Sequence, residues 1–596
     1  LLNDKKFLLV LDDVWNENKA KWVELRNLLR STDGFPPSKI IVTTRSLNVA
    51  SIMSSIPPYM LKGLPLEDCL TLFTKWAYND GDERHYPNLI RIGEEIVKKC
   101  KGAPLAVRTL GSLLFQKTDE SDWIYIRESE IWRLEQHEND ILPVLKLSYN
   151  HLPSHLQRCL AFLSLYKKDE IYYSDRVIYI WMANGLLEHP KQNQEWEDVG
   201  KRYLNELLLR CLIQKQNEFC LYFTFRMHDL VHDLALDVSQ KECQKECKTV
   251  NSETETVDKY VRHLLLCDEK LVGVPRVSEE MKNVQTVIIQ DASKRPKRSE
   301  IVDKSLINLC VSNFKYLRAL ELTDSPLTAL PNSIGTLNHL RDLNLGGCGS
   351  VRKLPRSFDK LRSLQSLYLG GTGLKQLPDS LQRLIELRHL VIAIKATNLK
   401  EIRAGCWTSL QYLELRSCRE LECLPEGMQN LQSLRTLVVS GCVNLVSLPR
   451  SLKFLTKLEH LEIVDCLRIN LKMEPEEEED KDLQLSLQTL LLVGSRDLTD
   501  LPQLLLQGSS STLQQLRIKY CSDLSVLPAW LLNLTSLHKL EIEGCRNLSA
   551  LPEGIDRLTN LRELRIIGCP ELSKRYGENG GEDWHKIAHI QKVIIC

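Results

Sequence analysis

"LHKLEIEGCRNLSALPEGIDRLTNLRELRIIGC", residues 537–569, contains one short frame twice. Leu537, Leu540 and Ile542 open the first copy, and Leu561, Leu564 and Ile566 open the second. Each copy runs L-x-x-L-x-[LIV] and reaches a cysteine, Cys545 or Cys569, at the same place after its leading leucine. Apolar residues alternating with polar ones over so short a run have the period of a strand with one face buried. The Leu551–Pro552 pair that follows suits a loop or the first turn of a helix-like stretch, where a missing N–H costs little.

Outward from this stretch the frame recurs at Leu317, Leu340, Leu364, Leu387, Leu410, Leu434, Leu458, Leu487 and Leu513, at intervals of 23 to 29 residues. Weaker copies, "VRHLLL" at 261 and "VQTVII" at 284, start the array. A period of this length with this frame is that of the leucine-rich repeat, in which each unit lays down one strand and turns back. No unit can bury its own leucines, so the units must stack. The expected product is a right-handed curved solenoid of eleven rungs, its parallel strands about 4.8 Å apart along the concave face. Cys348, Cys418, Cys442, Cys466, Cys521, Cys545 and Cys569 all occupy the repeat's tight turn. They are expected to be buried, each S–H near a backbone carbonyl. Side chains between the frame leucines alternate to the other face. In the late repeats these include Tyr412, Arg416, Arg517, Lys519, His538, Lys539, Arg562 and Arg565, with Glu414, Glu541, Glu543 and Glu563 among them. They read either as a partner-binding surface, rich in hot-spot residue types, or as a solvated ladder of ion pairs. The acidic run "KMEPEEEEDKD", 472–482, reads as a solvated surface loop inserted in one repeat.

The other end of the chain has a different character. "KKFLLVLDDVW", 5–15, is a continuous apolar run ending in Asp12 and Asp13. Such a run fits a parallel strand buried on both faces, and ligands of parallel sheets bind beyond the strands' carboxyl ends. Two carboxylates there suit Mg²⁺ with substrate phosphates. The phosphate loop G-x-x-x-x-G-K-[ST] is nevertheless not in this sequence: of 27 glycines only Gly200 precedes a lysine, and Arg202 follows. A strand so near the first residue leaves no room for its flanking strands, so the chain is expected to start inside a domain. Nucleotide binding by these residues alone is expected to be weak.

Between these ends the periodicity is helical. One amphipathic helix is expected from about Leu89 to Cys100, with a break at Gly102–Pro104 opening a second. Residues 140–237 hold several short helices and a strand-like "FCLYFTFRM", which suggests a wing beside a helix bundle. Segment 239–258 is polar and reads as a linker.

Composition sets outer bounds. A length of 596 residues implies several domains, and 43% hydrophobic with 26% charged residues is ordinary for a globular protein. Lys+Arg and Asp+Glu both number 78, which gives no general pull toward nucleic acid or acidic surfaces. No apolar stretch is long enough to span a membrane, and "LLNDKKF" is not a signal peptide. The 19 cysteines form no C-x-x-C pair, and their placement fits unpaired thiols in a reducing cytosol.

The ordered set "FLLVLDDVW" (7–15), "SKIIVTTRS" (38–46), "LKGLPLEDCLTLFTKWAY" (61–78), "CKGAPLAV" (100–107), "LQRCLAFLSLY" (156–166), "VIYIWMANGLL" (177–187), "EDVGKRYLNELLLRCLI" (197–213) and "MHDLVHDLA" (227–235) closely resembles the NB-ARC module of plant intracellular nucleotide-binding leucine-rich-repeat disease resistance proteins. The match begins just before that family's Walker B strand, and Trp15 is similar to the coiled-coil subclass. The resemblance implies a multidomain α/β plus α chain: part of a P-loop NTPase sheet (1–60), a helical domain (61–138), a winged helix (139–238), a linker (239–260) and a leucine-rich-repeat solenoid (261–596).

Roles follow by the same resemblance. Asp12 would hold Mg²⁺, Asp13 would polarise the attacking water, and Arg45 would face the γ-phosphate. Gly102, Pro104 and Leu105 would lie by the nucleotide, Pro104 near the adenine; the family usually has leucine where Ala103 stands. His228 would contact the ADP β-phosphate, and Asp229 would support the closed state. The family function implied is an ADP/ATP-gated switch, cytoplasmic and nuclear or membrane-associated when active. Its repeats would sense a pathogen effector or guarded host protein and release internal NB-ARC contacts, with an oligomer forming on activation. Hydrolysis would be a slow reset. Nucleic acid is not an expected partner, since 140–237 carries no basic stripe of base-reading side chains. Two other readings stand: a repeat scaffold with a vestigial nucleotide domain, and a related regulatory ATPase.

Overall fold

The computed structural model describes residues 7–30, 39–53, 56–79, 85–133, 141–239, 242–245, 260–267, 282–290, 300–393, 401–475, 483–578 and 581–596. The chain divides into two compact units, Leu1–Ser129 and Glu130–Cys596. No helix among the described residues is long and apolar enough to cross a membrane.

In the first unit the strand Leu8–Leu11 pairs in parallel with Lys39–Val42, Leu8 beside Lys39 and Leu11 beside Val42. The parallel pairing agrees with the sequence; the expected burial on both faces does not. Leu8 and Val10 are 60% and 55% exposed. Among the described residues these two strands form a sheet of their own; the helix Lys19–Arg30 lies between them in the chain and Leu47–Met53 follows. A two-stranded ribbon has too few neighbours to bury both faces. The rest of the unit is helical: Leu66–Ala77, Pro87–Lys99, Pro104–Leu113 and Glu120–Glu128. Their apolar stripes close over Phe73, Ile96, Leu110 and Trp123, all buried, with the Phe73 ring edge-on to Trp123 at 5.7 Å. The helix expected from Leu89 therefore starts two residues earlier, with proline at its first turn, and the break at Gly102 is present.

The second unit opens with a winged-helix segment. Its helices are Leu142–Asn150, Ser154–Leu163, Ser174–Asn184, Trp196–Leu209 and Asp229–Ser239. Between them a three-stranded antiparallel sheet runs Tyr172–Tyr173, Phe223–Arg226, Gln214–Glu218 in spatial order. The wing inferred from "FCLYFTFRM" is the hairpin of the last two strands.

A fifteen-stranded parallel sheet follows, its strands in chain order from Cys243–Lys245 to Lys592–Ile595. The eleven expected rungs are all there. The two weaker copies give His263–Cys267 and Thr286–Gln290. Two more strands complete the fifteen: Lys592–Ile595 after the last frame, and Cys243–Lys245 inside the segment read as a linker, where three residues of extended chain suffice to continue a ladder whose edge is open. Most stretches after Leu-Pro are five-residue 3₁₀ turns with proline at the cap, such as Asn332–Thr336; Met428–Asn430 and Ile555–Arg557 are three-residue turns capped by Gly427 and Gly554, and Gln503–Gly508 is α-helical. Most of the acidic run, 476–482, lies outside the described residues.

Register explains the core. Leu540 stands beside Leu516 and Leu564, and Leu437 beside Leu413 and Leu461. Every frame leucine thus packs on its equivalents in the neighbouring rungs, and burial of each contributes about 1.5–3 kcal/mol. The seven repeat cysteines are buried free thiols. Cys442 Sγ points at the Leu415 carbonyl (3.5 Å) and Cys466 Sγ at that of Val439 (3.6 Å), one rung back. The residue just before each strand has a second task. Its carbonyl accepts two amides of the next rung, as Arg388 O does from Gln411 N (2.8 Å) and Tyr412 N (2.9 Å). This fixes a column of side chains at the sheet's edge: Arg262, Gln285, Arg318, Arg341, Gln365, Arg388, Gln411 and Arg435.

Candidate functional site

At the carboxyl ends of the two parallel strands of the first unit, one hydroxyl ties two carboxylate residues together. Thr43 Oγ1 donates to Asp12 Oδ1 and accepts from Asp13 N at 2.8 Å. Asp13 takes a left-handed conformation, φ 50°, so the chain turns sharply there. Arg45 Nε lies 3.7 Å from Asp13 Oδ1, and its guanidinium sits 4.4 Å from the centre of the Trp15 ring. The exposed ion pair is worth only about 0–1 kcal/mol. Its interest is chemical: carboxylate oxygens take a hard cation, and a guanidinium takes phosphate. Asp12, Asp13 and Arg45 are thus brought together, and their donor set fits the metal and phosphate edge of a nucleotide site.

Gly102, Pro104 and Leu105 lie at another place in the unit, the junction between the helices Pro87–Lys99 and Pro104–Leu113. Gly102, at φ 77°, runs against Gly63 and Leu64. A Cβ on Gly102 would come 2.8 Å from Leu64 O, and one on Gly63 would come 2.8 Å from Lys101 O. Leu64 N donates to Gly102 O at 2.9 Å. The two G-x-P loops, 63–65 and 102–104, are therefore pressed backbone to backbone, a contact the sequence reading did not foresee.

In the second unit His228 caps the helix Asp229–Ser239: its Nδ1 accepts from Leu230 N at 3.2 Å, which puts the ring proton on Nε2. Asp229 is buried in the first turn, where the helix dipole favours a carboxylate. His232, one turn on, is buried with Nε2 2.9 Å from Tyr166 O.

The largest polar contacts of this unit involve residues the sequence reading passed over. The helix Trp196–Leu209 begins with a capping box formed by Glu195 and Asp198. These acids also grip the repeat column. Arg388 Nη2 meets Glu195 Oε2 at 2.6 Å and Glu197 Oε2 at 2.8 Å, and its Nε meets Glu197 Oε1 at 3.1 Å. Arg435 Nη1 binds the Asp198 carboxylate at 3.0 Å while its Nε binds Glu459 at 3.0 Å. In the other direction Arg176 of the winged helix forks onto Asp342 (2.6 and 2.7 Å) and Glu321 (2.8 Å) of the repeats. Burial opposes the charge of Arg176, but Asp342 and Glu321 more than offset it and hold its pKa well above the usual range. The Tyr179 ring lies tilted against His389 at 4.1 Å, and His389 stacks on Tyr412 at 4.6 Å. Burial, then Arg176 and Arg416, push His389 down to about 3, so it stays neutral. Beside this contact lies a cavity of about 300 Å³ whose lining includes Asp175, Cys220, Tyr412, Arg435 and His460. The pairs are separated by 145 to 237 residues, so no local pattern announces them. The only signal is arginine recurring just before a strand.

Farther along, the late repeats form an interlocked ladder. Lys519 binds Glu541 (2.6 Å) and Glu543 (2.8 Å), and Lys539 lies 3.5 Å from Glu541 and 3.6 Å from Glu563. Arg565 Nε closes on Glu563 at 2.5 Å.

The chain is similar to known proteins in the same order as its units. A model described as "NB-ARC domain" matches residues 1–83, "Disease resistance protein Winged helix domain" matches 165–235, and "Leucine-rich repeat region" matches 297–519. "Putative disease resistance protein RGA1" of Solanum bulbocastanum is 37% identical over 352 residues, 59% of this chain and 32% of that protein. "Putative disease resistance protein RGA4" of the same species is 46% identical over 231 residues, 39% of this chain and 23% of that protein. The chain therefore spans about a third or less of the length of these relatives. Among solved structures, the Drosophila Toll–Spatzle complex aligns over 61% of this chain and 49% of that chain, with 19% identity and a TM-score of 0.42.

Proposed function

Because the chain belongs to the plant disease resistance proteins that join an NB-ARC domain to leucine-rich repeats, and an NB-ARC domain implies nucleotide binding, we propose that it is the switch-and-sensor portion of an immune receptor gated by ADP and ATP. In this reading the repeats sense a pathogen effector or a guarded host protein, and the winged helix responds. One observation supports it above others: the winged helix carrying His228 and Asp229 is fastened to the repeats by the Arg176, Arg388 and Arg435 pairs. A ligand on the repeats that alters those pairs changes the free energy of the winged helix directly. It does so only to the extent that it binds the two arrangements with different affinity.

The residues at the strand ends divide the nucleotide work. Asp12 would hold Mg²⁺, with its Oδ1 already oriented by Thr43. Asp13 would orient water, and Arg45, steadied on Trp15, would face the terminal phosphate. Gly102, Pro104 and Leu105 would border the base, and His228 would meet the ADP phosphates in the closed state. Nucleotide with Mg²⁺ supplies the difference in binding energy between two states; the phosphate loop that cradles it is not among these 596 residues.

The decisive experiment is Asp229→Val in a receptor bearing this segment, expressed in leaf tissue without any pathogen molecule. Removing a buried charged group that stabilises the closed state costs that state about 1.5–3 kcal/mol. The closed-to-open ratio then falls about tenfold or more, and cell death is expected. A variant that accumulates normally and stays silent rejects the role of Asp229.

A further inference from the structure

The arginine column at the edge of the repeat sheet is neutralised over only part of its length. Arg388 and Arg435 are matched by acids of the winged helix. Arg262, Arg318 and Arg341, earlier in the same column, are not. Among the described residues the one carboxylate within 4.0 Å of these three guanidinium groups is Glu242, 3.9 Å from Arg262 Nε, and both side chains are about half exposed. Arg318 gives one hydrogen bond, to the Asn184 carbonyl at 2.9 Å, out of five N–H donors. Half-buried Arg318 and buried His263 both feel these basic neighbours in addition to their burial. Burial, then Arg341, Arg262 and Arg158, lower the pKa of Arg318 itself. Burial, then Arg262, Arg158 and Arg318, push His263 down to about 3.

Arg262 and Arg318 border a concavity of about 550 Å³, whose lining also includes Glu242, Tyr260, Gln285, Tyr316 and His339. The Tyr316 and His339 rings are stacked at 5.8 Å on its rim. Its volume is that of a small-molecule site and far below what a folded partner needs. Planar guanidinium forks select phosphate oxygens over other anions, and tyrosine hydroxyls add donors.

We propose that this cavity binds a compact, multiply phosphorylated small molecule, with Arg262 and Arg318 as its direct partners and Arg341 and Arg158 adding their field. The site belongs to the first repeats and does not depend on the nucleotide reading of Asp12, Asp13 and Arg45. Occupancy would supply the counter-charge that the winged helix supplies to Arg388 and Arg435.

The test is calorimetry of the 596-residue chain with two soluble probes, inorganic tripolyphosphate and inositol trisphosphate. Saturable binding of at least one, weakening as salt rises, is expected. Arg262→Gln and Arg318→Gln should each weaken it about tenfold or more. Glutamine is the residue this column already carries at 285, 365 and 411, so the strand edge tolerates it. Arg262→Gln also breaks only one long contact, which separates loss of binding from loss of fold. Arg468→Gln, an exposed charge on a later repeat, should leave affinity unchanged. No binding of either probe overturns the proposal, as does equal weakening by all three substitutions, which marks diffuse charge attraction. Capture of the chain by vesicles containing a phosphoinositide, with neither soluble probe bound, also overturns it and assigns the arginines to a membrane surface.

Discussion

Arg388→Ala should loosen the winged helix from the repeats by a predictable amount. Arg388 and Glu197 are each 13% exposed and joined by two hydrogen bonds, so they behave as a buried pair. Removing one member of such a pair costs about 3–5 kcal/mol, because the other charge stays buried without its counterion. Glu195 is 37% exposed, and its share is screened to about 0–1 kcal/mol. A total near 3 kcal/mol is the conservative figure, and that is about a hundredfold in an opening equilibrium. The assay is amide hydrogen exchange over residues 196–209, where the helix begins at the capping box. Exchange there should quicken about a hundredfold, up to the limit set by global unfolding, while the late repeats keep their protection. Glu197→Gln alone should produce a smaller change, and the double variant should fall well short of the sum, since both remove one interaction. If Arg388→Ala leaves this helix as protected as Arg468→Ala does, the clasp has been given an energy it does not possess.

Two further substitutions probe other features. Glu462 is raised to about 7, by burial and then Glu414, with the Cys220 thiol and Arg517 pulling the other way. A carboxyl raised in the folded state stabilises below its unfolded pKa and loses that contribution as pH rises from the ordinary glutamate value of 4.5 to about 7. Glu462→Gln should flatten this slope in denaturant midpoints across pH and raise stability above the window by up to about 3 kcal/mol; an unchanged pH profile refutes the shift. Gly102→Ala forces a left-handed residue and a 2.8 Å approach to Leu64 O, so the first unit should lose about 1–3 kcal/mol in thermal unfolding. An unchanged melting profile would show that the two G-x-P loops are not pressed together as described.

The repeats were the most legible part of the sequence because their information is local. A leucine at each frame position needs only the next copy of itself, so one period fixes strand, register and the burial of Cys442 and Cys545 together. The strand ahead of Asp12 and Asp13 was legible in type but not in burial, since burial depends on which layers flank it. The site residues Asp12, Asp13 and Arg45 could be named from order and type, yet Thr43, whose hydroxyl joins the first two, reads as one more polar strand residue. Least legible was the contact of Arg176, Arg388 and Arg435. On the sheet edge an arginine that meets water and one that meets Glu197 look alike in sequence. The ladder of Lys519, Lys539, Glu541 and Glu563 shows the same limit: the spacing placed these residues on one face, but not which of them neutralise one another.

The clasp also determines how this molecule can diversify. A change at Arg388 or Arg435 alters the hold on Glu197 or Asp198, so drift at either end requires a matching change nearly two hundred residues or more away. The ladder at 515–567 is under a looser rule, since among the described residues the ion pairs of Lys519, Glu541 and Arg565 are to side chains of the same or the adjacent rung. Exchange of one or two whole rungs by unequal recombination carries such partners along as a block. New surfaces therefore arise most readily at the carboxyl end of the sheet, while the early rungs are inherited as a matched set with the winged helix.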